Sequence, residues 1–481
     1  MRHHRIDRSR LVFFALIPAA LFGITAVFYG RLTGDEGWYV LAATDVMQGK
    51  LPYRDFLFTQ MPLLPYFYGT LMTILGKGMF AGRLISFTIS MASVAMLLQI
   101  CRREGGINAA GVAALLLGMN LSYVFHTCAV KTQSLTVFLV TASLFALRPR
   151  QLSRTRDMLS LFLMTLAFLT RLSVIPCLLA LIIYLFQRYR PRLACFAKIC
   201  AAPALCAGLV IAFFYANGNM IFGVITFHSE YYSNPALSMS SMHTFLNRFF
   251  LDQYPIIIAF IVSCVLFALR LVRNNGSTFL SGGSDAYAWM LIVSYAAATA
   301  IHVTRPISYA CYQISIIPFV ILFASLALGD YLDHTSGATR RAVYTAIFFS
   351  CLAGMPLQEY DVSLKGDGTL RKTIEASRAI RELSAEGDRI LTFATELAVE
   401  SRLVSLPGYE LSEFAYFPVM RDEVAAKLHV VDQKQLYEDL REKNARILCL
   451  TPRDFAIMAG NDIERLARII RLNYVVRREI P

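Results

Sequence analysis

Through the first 355 positions the chain is a series of long apolar runs, and short basic clusters interrupt them at intervals. The clusters are Arg2/Arg5/Arg8/Arg10, Arg102/Arg103, Arg148/Arg150/Arg154/Arg156, Arg188/Arg190/Arg192/Lys198, Arg270/Arg273 and Arg340/Arg341. Cytoplasmic loops of membrane proteins carry an excess of Lys and Arg, so each stretch between two clusters must leave the membrane and return. This divides Ile107–Leu147 into two helices with an outer turn at Tyr123–Lys131, and Met158–Phe186 into two short helices with Arg171 at the outer apex. The other passages are Leu11–Gly30, Met79–Ile100, Phe196–Ala216, Tyr254–Leu271, Ala286–Ile301, Ile307–Leu328 and Ala342–Met355. The pattern predicts about eleven transmembrane helices, with a cytoplasmic N-terminus and an outside C-terminus. Leu11–Gly30 is long for a signal peptide and Gly34-Asp35 is no small-residue cleavage site, so it reads as a retained first helix.

From Gln358 the texture changes. Helical periodicity at Thr373–Leu383, Asp432–Glu442 and Asp462–Ile470 alternates with strand-like segments at Arg389–Phe393, Arg446–Leu450 and Tyr474–Val476. The expected division is a membrane domain over residues 1–357, with a first outer loop at 31–78, and a small α/β extracytoplasmic domain over 358–481.

Composition agrees with the pattern. Hydrophobic residues make up 56% of the 481 and charged residues 16%, where a soluble domain carries about a quarter charged. Through Met355 there are 27 Lys and Arg against 12 Asp and Glu, a balance of +15; beyond it 19 against 21 give −2. The basic excess therefore belongs to membrane loops and does not point to nucleic acid. Nine of the ten cysteines lie between Cys101 and Cys351, with no CxxC, as expected of buried free thiols.

The densest chemistry follows the first apolar run. Gly34-Asp35-Glu36-Gly37-Trp38-Tyr39 places two adjacent carboxylates at a membrane face, and Gln48-Gly49-Lys50-Leu51-Pro52-Tyr53-Arg54-Asp55-Phe56 continues the loop. A carboxylate there can take a proton from an acceptor while the other reactant stays in lipid. Phosphate-loop, dinucleotide and HExxH signatures are absent, and His3-His4 lies at the terminus away from the acidic pair.

Asp35–Tyr39, Gly49–Phe56, Pro62–Tyr66 and Gly82–Leu84 together resemble the GT-C glycosyltransferases. The similar branch contains protein O-mannosyltransferases and lipid A aminoarabinose transferases. The resemblance implies an inverting hexosyl- or pentosyltransferase of the bacterial inner membrane, acting in cell-envelope glycan or lipopolysaccharide biosynthesis. Its donor is expected to be a polyprenyl-phosphate sugar, and its acceptor a glycolipid, glycan or protein. No cofactor is expected, and a divalent cation stays open. Asp35 takes the place of the catalytic base, with a solvated loop acid or helix N-cap as the plain alternative. Glu36 either binds acceptor or orients a neighbouring cation. Gln60 stands where relatives have a phosphate-binding lysine, Lys131-Thr132-Gln133 where another acid is expected, and Arg171 where they have a lysine.

Arg171, Lys131 and Arg305 sit at outer helix ends, where they either grip the lipid phosphate or snorkel to headgroups. His302 and Tyr309 belong to a compact polar insertion that offers contacts to sugar or phosphate. Arg54 and Asp55 either touch substrate or brace the loop as an ion pair, the second being favoured. Phe227–Tyr232 either mixes aromatic and acidic groups as sugar sites do or forms an interfacial aromatic belt, the second being favoured. Two other classes remain: a transporter or flippase of lipid-linked glycans, and a non-catalytic scaffold. A transporter would carry polar groups at mid-membrane, whereas here they gather at one face.

Overall fold

The computed structural model describes residues 16–228, 235–273, 284–304, 309–360, 368–385, 387–460 and 462–479. The chain is largely helical. Helix α1 (Leu16–Tyr29) enters the first loop, which holds α2 (Glu36–Met47) and α3 (Leu63–Leu75) before α4 (Met79–Gly118). At thirteen residues α3 is only about 20 Å long, short of a bilayer's hydrocarbon core. Helix α2 is buried on nearly every side, although it belongs to a connecting loop.

Helix α4 breaks at Gly106, whose backbone is non-helical within an otherwise continuous 40-residue run. Helices α5 (Leu121–Cys128) and α6 (Thr132–Ala146) are bent by 105° across Lys131. Helices α7 (Arg154–Thr170) and α8 (Ile175–Tyr189) meet at Arg171, and α9 (Leu193–Asn217) follows. The reversal expected at Arg171 is thus present, and the expected turn at Tyr123–Lys131 is itself partly helical. Beyond a five-residue π turn (Phe222–Thr226) come α10 (Pro235–Arg273), α11 (Ser284–Val303), α12 (Ile317–Asp333) and α13 (Gly337–Gly354).

Among the described residues, five helical stretches are long and apolar enough to cross a membrane, or six if the bent pair α5–α6 is one span. Two of the five, at 40 and 46 residues, exceed a single crossing; they break at Gly106 and at Arg190–Arg192. This is fewer than eleven because several of the expected passages are shorter than the roughly 20 residues a span requires, α7 among them.

The two ends of the bundle differ in chemistry. At one end Arg103 donates to the Phe145 and Leu147 carbonyls, Arg150 to the Glu104 carbonyl and Arg340 to the Leu332 carbonyl. Arg188 pairs with Asp157, and Arg270 with Asp285 and Asp330. Helix α6 begins and helix α7 ends at the opposite end, where Lys131 and Arg171 lie.

Beyond α14 (Leu370–Glu382), three short parallel strands form a sheet in the order β2-β1-β3: β1 (Arg389–Leu391), β2 (Val404–Ser405) and β3 (Ile447–Leu448). Ile390 pairs with both Ser405 and Ile447. Parallel strands need crossovers, and helices supply them. These are α15 (Thr395–Ser401) between β1 and β2, then α16 (Asp422–Leu428) and α17 (Gln433–Glu442) before β3. Helices α18 (Pro452–Ala459) and α19 (Ile463–Asn473) complete the segment. Leu391, Phe393, Leu436, Leu440 and Leu466 build a core there, separate from that of the bundle. The strand expected at Tyr474–Val476 does not form. Tyr474 donates to the Ala445 carbonyl, while Val475 and Val476 stay exposed and outside the sheet.

This segment packs on the first loop. A Cβ at Gly37 would stand 2.5 Å from the Glu396 backbone nitrogen and 2.6 Å from the Thr395 hydroxyl, so glycine permits α15 to lie directly on α2. Glu400 reaches further and accepts a hydrogen bond from the Met79 backbone N–H, at the start of α4.

Candidate active site

Asp35 is the N-cap of α2, and its backbone carbonyl accepts from the Tyr39 N–H. Its position is fixed by the next residue. Glu36 is fully buried and receives two hydrogen bonds from Arg83, Nε to Oε2 at 2.8 Å and Nη2 to Oε1 at 2.7 Å. Arg83 also donates to the carbonyls of Ala26, Gly30 and Arg31, at and just beyond the end of α1. Glu36 accepts from the backbone N–H of Thr33 and of Val130 as well. Burial alone would raise the Glu36 carboxyl; the Arg83 charge and hydrogen bonds, with those two N–H donors, hold it below its ordinary value. The bond to Val130 brings the α5–α6 break beside the start of α2. Lys131 Nζ consequently lies 3.5 Å from Asp35 Oδ2.

Arg171 projects from the α7–α8 break. Its Nη1 donates to Thr132 Oγ1 at 2.6 Å and its Nε to Ser173 Oγ at 3.0 Å, while the guanidinium lies 4.6 Å from the centre of the Tyr312 ring. These contacts fix the plane of a side chain whose geometry suits paired hydrogen bonds to phosphate.

Asp35 and Arg171 line the same cavity. The first loop contributes Trp38, Tyr39, Thr59, Gln60 and Met61, and the helix breaks add Gln133, Leu172 and Ser173. Val224, Phe227 and His228 come from the π turn and its end, Tyr312 from the start of α12's run, and Leu411 and Phe414 from the C-terminal segment. The π turn sits hard against the loop. A Cβ at Gly223 would fall 2.2 Å from the Phe58 carbonyl oxygen, so only glycine allows this approach. Among the lining residues Asp35 is the one carboxylate.

The sequence candidates therefore separate. Asp35, Gln60 and Arg171 face the cavity, and Lys131 stands directly behind Asp35. Glu36, expected either to bind acceptor or to orient a neighbouring cation, does not line it and pairs with Arg83, while two backbone donors also occupy its oxygens. Arg54 and Asp55, expected either to touch substrate or, by preference, to brace the loop, bind each other at 2.7 and 2.9 Å, and Asp55 also accepts from the Leu51 N–H. They brace the loop and do not line the cavity.

His302 is buried behind the lining, its ring 5.8 Å from that of Tyr312. Tyr309 is 49% exposed and packs on the other side of Tyr312. Arg305 lies outside the described residues. Phe227 and His228, by preference expected in an aromatic belt, line the cavity instead, and His228 pairs with the Thr59 carbonyl. Tyr39, Gln133, Tyr312, Leu411 and Phe414 were not anticipated. Tyr39 was within reach, being part of the motif itself. Among the described residues no group of three or more His, Cys, Asp or Glu side chains could hold a metal ion.

Comparison with known proteins adds three findings. Residues 59–223, about a third of the chain, match the family model described as dolichyl-phosphate-mannose-protein mannosyltransferase. The crystal structure of ArnT from Cupriavidus metallidurans in the apo state is similar with a TM-score of 0.61 and 14% identity, over 94% of this chain and 95% of that one. The same ArnT bound to undecaprenyl phosphate gives a TM-score of 0.62 and 13% identity, over 95% of each chain. No curated protein matches in sequence. The family match takes in Gln60, Lys131 and Arg171 but begins after Asp35, and the two ArnT structures share this chain's fold along nearly its whole length.

Proposed function

We propose that the protein transfers a hexosyl or pentosyl group from a polyprenyl phosphate to the hydroxyl of a glycolipid, glycan or protein, by inversion. The observation that carries this reading is the shared cavity: a carboxylate and a fixed guanidinium face one space at one end of an apolar bundle. The acceptor hydroxyl oxygen attacks the anomeric carbon and gives its proton to Asp35. The bond from that carbon to the phosphate oxygen breaks, and polyprenyl phosphate departs as an anion toward Arg171. Among the described lining residues one carboxylate is present, which suits one displacement; a double displacement needs a second group to serve as nucleophile. The undecaprenyl phosphate bound by the similar ArnT supports a lipid donor here.

In this reading the eleven passages thread the inner membrane from a cytoplasmic N-terminus. The first loop and residues 358–481, the latter a domain of their own, lie on the outer face with the cavity. Purified protein supplied with labelled undecaprenyl-phosphate hexoses and pentoses, and with an extract of envelope glycolipids, should release undecaprenyl phosphate as labelled acceptor accumulates. Vesicle translocation of the lipid-linked sugar without cleavage would replace the transferase by a flippase.

A further inference from the structure

Lys131 is an odd residue for its position. It is the N-cap of the fifteen-residue helix α6, where the helix dipole disfavours a cation, and its side chain is only 7% exposed. A buried ammonium requires an anion. Asp35 supplies it at 3.5 Å, and the Glu36–Val130 hydrogen bond holds the α5–α6 break beside the start of α2. Arg171 lines the cavity and Lys131 does not, so the lysine is placed to act on the carboxylate and not on a ligand. The Asp35 side chain is 38% exposed and, among the described residues, no other cation pairs with it.

We propose that Lys131 is the resident counter-ion of Asp35, a positioning residue that holds this carboxylate toward the acceptor and offsets its charge while an anionic phosphate occupies the Arg171 side of the cavity. The inference rests on the reading of Asp35 as base. Without the lysine, two anions would face each other across one space with no cation in contact with the carboxylate. The groups around Asp35 are Tyr39 on its own helix, Lys131, Arg171, Tyr309, Tyr312 and His228. Lys131 is the cation in direct contact.

The test uses Lys131→Met, Lys131→Gln and Lys131→Arg in the full-length detergent-solubilised protein, with undecaprenyl phosphate as the binding probe. In the Met or Gln variant, whichever is monodisperse, affinity for undecaprenyl phosphate should stay within about threefold while turnover falls by roughly tenfold or more. That pattern marks an interaction felt in the transition state and not in lipid binding. Lys131→Arg should recover most of the turnover. In the wild type a carbodiimide should join the Asp35 carboxyl to the Lys131 amine, as read by peptide mass. A large loss of undecaprenyl phosphate affinity would make Lys131 a phosphate ligand and overturn the proposal. Absence of the Asp35–Lys131 cross-link would overturn it as well. Failure of the wild type to bind undecaprenyl phosphate would instead reject the donor reading, and the cross-link would still decide the Lys131–Asp35 pairing.

Discussion

Replacing Arg83 with methionine removes the cation that makes a fully buried Glu36 tolerable. Five hydrogen bonds of 3.0 Å or less go with it: two to the Glu36 carboxylate and one each to the carbonyls of Ala26, Gly30 and Arg31. The carboxylate keeps only the Thr33 and Val130 donors, in a site with no solvent exposure. Breaking a buried pair from one side typically costs about 3–5 kcal/mol, a large part of the roughly 5–15 kcal/mol that holds a domain together. Glu36→Gln should cost less, because Arg83 retains its three carbonyl acceptors. The double variant Arg83→Met/Glu36→Gln should be more stable than the two single losses summed, by about 2 kcal/mol or more, since neither charge is then stranded. Trp38, buried beside Tyr39 with ring centroids 3.7 Å apart, reports this region by fluorescence during thermal unfolding once Trp289, the second of the two tryptophans, is changed to phenylalanine. Wild-type unfolding of Arg83→Met, or strict additivity in the cycle, would refute the argument. A Glu36→Gln protein of wild-type stability that had lost turnover as completely as Asp35→Asn would return Glu36 to the chemistry.

Arg171→Ala should lower undecaprenyl phosphate affinity, turnover or both, by a combined factor of roughly a hundred, and Arg171→Lys should keep part of the activity because a point charge survives without the paired geometry; wild-type kinetics for the alanine variant would leave Arg171 as an interfacial anchor. The C-terminal segment should undock as pH rises. Burial pushes Glu396 and Glu410 up to about 7, with Glu36 and Asp454 adding to the first, and Asp45 to the second against the opposing Lys50. A carboxyl raised in the folded state contributes fully below about pH 4.5 and loses that contribution as pH rises through about 7, and each pH unit between is worth about 1.4 kcal/mol. Melting temperature should therefore fall between pH 5 and 8 in the wild type and fall less in Glu396→Gln/Glu410→Gln, a difference that parallel pH–melting curves would expose or exclude.

The sequence carried the parts of the fold that hydropathy and charge encode. Apolar runs marked the helices, and the basic clusters required a reversal at Arg171 inside what reads as a single run. Asp35 was legible because its motif is local. Glu36 turns away from the cavity for a geometric reason: consecutive residues on a helix point about 100° apart, so neighbours in sequence need not share a cavity. Its partner Arg83 is forty-seven positions away, and nothing local signals the pairing. Leu411, Phe414 and Tyr312 reach the cavity through tertiary packing alone. β2 is two residues long, too short for any alternation of polar and apolar positions, while Tyr474–Val476 had the composition of a strand and no partner edge.

The central claim is that Asp35 takes the acceptor's proton while Arg171 receives the departing phosphate. Asp35→Asn tests it most directly, since the amide keeps the shape of the side chain and removes the basic oxygen. The measurement is turnover of a labelled undecaprenyl-phosphate sugar by monodisperse Asp35→Asn protein beside the wild type, with undecaprenyl phosphate affinity measured on both. The account predicts a loss of at least about a hundredfold in turnover with lipid binding retained; turnover above about a tenth of wild type would contradict it.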